Sequence, residues 1–362
     1  MTTSRPIRLV WPVVPIVLAV LVTALLILAA GGSPQVAVSA MIQGSFGSSD
    51  RILTTLATWV PLLLCSTGLL ITFTTGLWNI GVEGQMIMGA VGAAWVSLTF
   101  AYPNPNIPNW IILIGELLAA MVMGALWAAL NAVLKTRGGV HEIFGGVALN
   151  SLAGIFLNYM ISGPWEPPRG GTFTSTVPFT PNALLPLLGT SPFSPISLIF
   201  ALLALAAVTF TLRRTYWGLR LKALGRNLRS AFIMGISSER EAILGMMICG
   251  ALAGVAGMVR TVSWFDSLRQ NISGGIGFLA VLIVLLAGSR PVWTFVIALL
   301  FSGLLSGGTI VQLRTQLHSD LSGVLQGLLV LFVLLFGDLG RIFRKRGAPG
   351  APSTEIVAEE RV

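Results

Sequence analysis

Charge is what this chain has least of. Of its 362 residues only 10% are Asp, Glu, Lys or Arg, while 54% are hydrophobic. Soluble domains carry about 25% charged residues, because their surfaces must be hydrated. With a mean hydropathy of +0.86, much of this surface must have lipid as its solvent. Cysteine is nearly absent. Cys65 and Cys249 both fall in apolar stretches, where a thiol packs as a small hydrophobe, so no disulfide or metal framework is implied. Histidine occurs only as His141 and His318. No Gly-x-x-x-x-Gly-Lys-Ser/Thr phosphate loop occurs, so the chain does not bind ATP by that device. A Gly-x-Ser-x-Gly elbow and a zinc-type histidine pair are missing too. These absences argue against an enzyme, and no catalytic or metal-ligating residue is assigned.

What is present in abundance is apolar runs. Nine are long enough to span a bilayer, which takes about 20 residues: near 9–31, 52–72, 80–101, 110–134, 143–161, 194–212, 242–264, 291–311 and 320–337. A tenth, near 276–288, is shorter and opens with Gly274, Gly275 and Gly277. The runs are continuous rather than alternating, which disfavours a barrel, and the expected fold is all-α. Ten alternating spans with both termini inside place seventeen of the 22 basic residues on one side, as the positive-inside rule demands. That one-sidedness also accounts for the net charge of +9 without nucleic acid. The first run is too long for a cleaved signal core and reads as a retained helix.

The expected layout is one membrane domain, 1–346, and a disordered cytoplasmic tail, 347–362, rich in Gly, Pro and Ala. Three loops stand out. Segment 32–51 is Gly/Ser-rich and external. Segment 162–193 is external, and its prolines, among them Pro164, Pro178, Pro181 and Pro186, forbid a long helix. Segment 213–241 is internal and carries the densest positive charge. Helices 2–5 and 7–10 form two groups of four with opposite starting sides, with helices 1 and 6 outside them.

Polar chemistry concentrates in a few places. Thr75-Gly76-Leu77-Trp78-Asn79-Ile80-Gly81-Val82-Glu83-Gly84-Gln85 opens the third span. Asn79, Glu83 and Gln85 would be costly against lipid and must face protein or a water-filled path. Two readings stand: a helix cap with helix–helix hydrogen bonds, or a broken helix at a translocation route. The eighth span opens correspondingly with Ser273-Gly274-Gly275-Ile276-Gly277-Phe278. Interrupted segments at matching places of inverted halves point to a midplane pathway. The pathway candidates are therefore Asn79, Glu83, Gln85, Gly274, Gly275, Gly277 and Phe278. His141-Glu142, opening the fifth span, reads as local structure at the inner interface. In segment 213–241, Leu228, Ala231, Phe232 and Gly235 fall at helical spacing. A short amphipathic helix there either lies on anionic headgroups or seats in a partner's groove. The small pair Ala231 and Gly235 favours the partner.

Gly76 to Gln85 resembles the signature of permease subunits of ATP-binding-cassette importers, in the nucleoside and simple-sugar (branched-chain amino acid/ribose-type) family. The nucleoside branch, with Gly-Leu-Phe/Trp-Asn-Ile-Gly-Val-Glu-Gly-Gln, is the nearest. Val140-His141-Glu142 with Asn150 resembles that branch, as do Gly218-Leu219-Arg220, Ala223-x-Gly225-x-Asn227 and Gly235-Ile236. The resemblance covers nearly the whole chain. The chain departs from the pattern at Phe144-Gly145-Gly146 and at Ser273 to Phe278. The resemblance implies a prokaryotic plasma-membrane protein that pairs with a second permease. It also implies an ATPase subunit, which holds ATP and Mg so that this chain needs no cofactor, and an external substrate-binding protein. Leu224, Gly225, Asn227, Ala231, Phe232 and Gly235 would then form the ATPase-coupling segment. The alternatives are an ion-gradient-driven transporter, with Glu83 and Glu116 as the acids well inside spans, and a membrane enzyme. The orientation is directly checkable. Single cysteines at Arg169 and Arg226, introduced after replacing Cys65 and Cys249, should react with an impermeant reagent from opposite sides. Labelling from one side would end the ten-span layout.

Overall fold

The structure, a computed structural model, describes residues 14–29, 31–167 and 174–315, with isolated positions 324, 327, 328 and 331. The run expected over 320–337, the tail 347–362, Arg169 and His318 lie outside the described residues. The chain divides into two compact units, Gln35–Ser319 and one made of Met1–Pro34 with Asp320–Val362. The second unit holds α1 (Val14–Ala29), apolar throughout apart from Thr23.

The larger unit is helical. In order come α2 (Pro34–Phe46), α3 (Ser49–Thr74), α4 (Val82–Val96) and α5 (Asn109–Thr136). Then follow α6 (Glu142–Ser162), α7 (Pro195–Arg214), α8 (Tyr216–Arg226), α9 (Leu228–Ile233), α10 (Ser238–Val259), α11 (Ile276–Leu286) and α12 (Pro291–Thr315). Among the described residues no strand forms beyond one isolated bridge, Ser175 to Arg269. Among the described residues seven helices are long and apolar enough to cross a membrane, or eight if one bent pair counts as a span. They fall where the apolar runs predict. Helix α11 has 11 residues and rises about 17 Å, half of an apolar core about 30 Å thick.

Two segments differ from their sequence-based reading. Segment 32–51 is largely the helix α2, not a loop. Its Ala37, Ala40 and Gly44 make a narrow small-residue face. Gly44 sits where a Cβ would meet Ile310 of α12 at 2.8 Å, and Ser45 Oγ donates to the Gly303 carbonyl at 2.6 Å. Tertiary packing overrides the Gly/Ser content. Segment 213–241, read as an internal loop with a short amphipathic helix around Leu228 to Gly235, holds two short helices, α8 and α9, plus the ends of α7 and α10. Thr215 Oγ1 accepts from Gly218 N to start α8, and Asn227 Oδ1 accepts from Ser230 N to start α9. Gly235, at φ 74°, ends α9 in a left-handed turn.

The centre is a seam of small residues. A Cβ on Gly254 of α10 would stand 2.1 Å from the Ala120 carbonyl of α5, and one on Gly257 would stand 2.0 Å from the Met86 carbonyl of α4. Gly89 meets Gly254, and Gly124 meets Gly250, equally closely. Between lipid-solvated helices there is no hydrophobic drive to associate, so backbone approach of this kind supplies the dispersion that holds them. Both α4 and α10 finish in a π-turn, Ser97–Ala101 and Arg260–Phe265. Over that end lies the described part of the proline-rich loop. It is tied down by Thr176 N to Leu268 O, Phe179 N to Asp266 O and Leu185 N to Val262 O, and by the Asn109 amide, which donates to the carbonyls of Asn182 and Leu184.

Gly254→Val should therefore force α5 away from α10. Overpacking costs about 1–3 kcal/mol where side chains can yield, and here the obstacle is backbone. A marked fall in the melting temperature of the purified protein is expected, whereas Gly154→Val, with open space at its Cβ, should melt near wild type.

Candidate functional site

The polar turn 75–81 is built by what stops α3. Gly76, at φ 77°, breaks the helix, and the chain returns upward to begin α4 at Val82. Asn79 and Gln85, both fully buried, pair reciprocally: Asn79 Nδ2 donates to Gln85 Oε1 at 3.0 Å, and Gln85 Nε2 to Asn79 Oδ1 at 2.9 Å. Asn79 Nδ2 also reaches Cys249 Sγ at 3.2 Å. Asn150 of α6 clamps the same turn, accepting from Gly84 N at 2.8 Å and donating to the Ile80 carbonyl at 2.9 Å. Cys249 lies about 17 Å along α10 from Ser238 at 1.5 Å per residue, so Asn79 stands well inside the bundle, while Gly76 and Leu77 of the same turn stay at its basic end.

Glu83 joins this turn to the other glycine-rich opening. Its Oε1 accepts from Gly275 N at 3.1 Å and its Oε2 from Gly277 N at 2.7 Å, at the N-terminus of α11. The carboxylate thus takes the first amides of the short helix and faces the positive end of its dipole. Glycine is obligatory here. A Cβ on Gly277 would stand 2.5 Å from Glu83 Oε2, and Gly274 and Gly275 hold φ of 57° and 77°. Among the sequence candidates, Asn79, Glu83, Gln85, Gly275 and Gly277 therefore form one cluster. Gly274 and Phe278 stand on its exposed side. The geometry of the buried trio is that of a cap with helix–helix hydrogen bonds. Near Gly274 lies a residue the sequence reading passed over as merely basic. Arg260 donates from Nε to the Ile272 carbonyl at 3.3 Å, and its guanidinium covers the rings of Trp264 and Phe265. In the adjoining loop, burial pushes the Asp266 carboxyl up, against the opposing pull of Arg269.

At the far, basic end lies a groove of about 510 Å³, lined by Gly76, Leu77 and Lys135 with Leu224, Gly225 and Glu239. Gly225 is pressed on the end of α3, where a Cβ would meet the Thr74 carbonyl at 2.1 Å. Ala231 is buried, while Phe232, Ile233 and Met234 are about three-quarters exposed, at 76%, 77% and 74%. Gly235 has nothing within 4 Å of its Cβ position. It shapes the turn and is not a surface for close approach. Glu241 anchors α8 to α10, accepting from Trp217 Nε1 and facing Arg220 at 3.5 Å. Arg137–Glu239 and Lys135–Glu142, each at 2.7 Å, tie α5 to its neighbours. His141 Nδ1 accepts from Ile143 N and so caps α6.

Apolar helices around a buried polar turn, a half-length helix capped from across the bundle and one basic end together define a multi-pass membrane protein of the transport-permease class. Residues 51–334 match the family described as branched-chain amino acid transport system / permease component. The chain belongs to that family. It is similar to the guanosine transporter permease protein NupP of Bacillus subtilis, with 29% identity over 91% of this chain and 94% of that one. It is similar also to the nucleoside transporter permease protein NupB of Lactococcus lactis, 30% identical over 82% of each chain. The glucose transporter permease protein TsgB13 of Haloferax volcanii is 29% identical over 89% of this chain and 86% of its own length. NupQ and NupC, further permease proteins for guanosine and nucleosides from the same Bacillus and Lactococcus, also match.

Replacing Glu83 separates the roles in this cluster. Glu83→Ala leaves the amides of Gly275 and Gly277 unpaired, at about 1–3 kcal/mol for each buried group. It should lower the melting temperature and uptake together, and Glu83→Gln, with one acceptor oxygen left, should fall between. Lost uptake at unchanged melting temperature would assign Glu83 to the transported solute instead.

Proposed function

We propose that the chain is the permease subunit of an ATP-binding-cassette importer and forms the translocation path for a nucleoside or related sugar. The observation carrying this reading is the junction at Glu83, where two interrupted segments meet inside the bundle. The inverted-repeat logic of transporters puts substrate sites at such a junction. The relatives named for guanosine, nucleosides and glucose support the substrate class. Ten spans complete the bundle, with helices 2–5 and 7–10 as inverted halves and both termini cytoplasmic. Asn79, Glu83 and Gln85 fix the turn, while Gly274, Gly275, Gly277 and Phe278 form the wall beside the path. The paired names of the relatives favour a second, homologous permease.

The ATPase is a separate subunit, and it binds ATP and Mg. It docks at the basic end, where Phe232, Ile233 and Met234 offer an apolar tip and Leu224, Gly225, Asn227, Ala231 and Gly235 hold that tip in place. Nucleotide-driven closure of the ATPase would then favour one of two arrangements of the bundle. A binding protein delivers substrate on the opposite side.

The reading is tested in proteoliposomes holding both permeases and the ATPase. Nucleoside uptake should require ATP and binding protein and should ignore ionophores. Uptake driven by an ion gradient without ATP would exclude the importer. Within the same system Phe232→Asp should lose co-purification of the ATPase, because a desolvated hot-spot side chain contributes about 2 kcal/mol or more to an interface. Arg226→Glu, a rim charge, should mostly slow association.

A further inference from the structure

A groove of about 510 Å³ runs between α7 and the start of α12, and both helices pack on α3. Its walls are apolar, with Leu202 and Phe210 on one side and Val292 and Phe295 on the other. Phe295 is fixed edge-on against Trp59 of α3, with ring centres 4.7 Å apart. Arg213 and Arg214, the last turn of α7, stand at one end. Both are exposed, neither has an ion-pair partner among the described residues, and no acidic side chain lines the groove. From Leu202 to Arg213 the helix rises about 17 Å at 1.5 Å per residue. One leaflet's share of an apolar core about 30 Å thick is about the same.

We propose that this groove is a binding site for one anionic phospholipid. The acyl chain lies along Leu202, Phe210 and Phe295, and the headgroup phosphate is held by Arg213 and Arg214. A basic end on an apolar groove between spans selects anionic headgroups, and guanidinium forks match phosphate oxygens in pairs. The leaflet-length match favours a lipid over a soluble anion, and the unpaired cations at the rim favour an anionic lipid over a neutral one. The site has a structural consequence. Arg214 is joined through Thr215 to α8, which is anchored at Glu241 and leads to the exposed tip at Phe232. A headgroup on the arginine pair steadies the base of that segment. The assignment does not depend on which solute the chain carries.

Native mass spectrometry of the purified full chain tests it, comparing phosphatidylglycerol and phosphatidylcholine with identical acyl chains. One equivalent of phosphatidylglycerol should be retained about tenfold or more over phosphatidylcholine. The Arg213→Gln/Arg214→Gln double variant should erase the preference. Ala206→Trp, which fills the exposed wall and leaves both arginines in place, should lose retention altogether. Equal retention of the two lipids by the wild-type chain overturns the site without recourse to any variant. Retention that survives Ala206→Trp overturns it as well. Displacement of the lipid by inorganic phosphate would make the pair a soluble-anion site, and a two-chain species abolished by Ala206→Trp would give the groove to a second copy.

Discussion

The contact between the Glu83 carboxylate and the first amides of α11 is the constraint around which the rest is arranged. A helix of 11 residues that starts inside an apolar core has unpaired N–H groups at its start. Unpaired groups of that kind are not tolerated in hydrocarbon. One carboxylate from α4 takes two of them, and its charge is offset by the helix dipole. The geometry in turn demands glycine at 277, the left-handed turn at 274 and 275, and the buried Asn79–Gln85 pair that holds the start of α4. Polar residues that look expensive one at a time satisfy one another.

Much of this was legible in the sequence. Apolar runs locate the spans because lipid imposes both length and composition on them. The residues that meet at Glu83 were legible as two polar, glycine-rich interruptions. Their direct contact was not, since no local pattern says which amide a buried carboxylate will find. Segment 32–51 misled because Gly and Ser read as loop, whereas at Gly44 and Ser45 they are what lets α2 seat on α12. The seam at Gly250, Gly254 and Gly257 did leave a trace, the small-xxx-small spacing from Gly250 to Gly254. Gly235 misled in the opposite sense: its helical spacing from Ala231 suggested packing, and its backbone angle shows a stop.

The basic end combines two kinds of surface. Ion pairs at Glu142, Glu239 and Glu241 brace the ends of α5, α6, α8 and α10 on this side against one another. Beyond the brace, Phe232, Ile233 and Met234 leave apolar side chains in the open. The ion pairs lie on the elements flanking that tip, with Glu241 joining α8 to α10 just before and after it.

The glycine seam has a mechanical consequence. Where α4, α5 and α10 touch, backbone meets backbone, so no side chain can change rotamer to absorb a displacement. The three helices therefore behave as one stiff beam. Compliance has to reside elsewhere, in the elements that touch the beam through longer side chains. Glu83 belongs to that beam through α4, whereas the tip at Phe232 lies outside it, on α9.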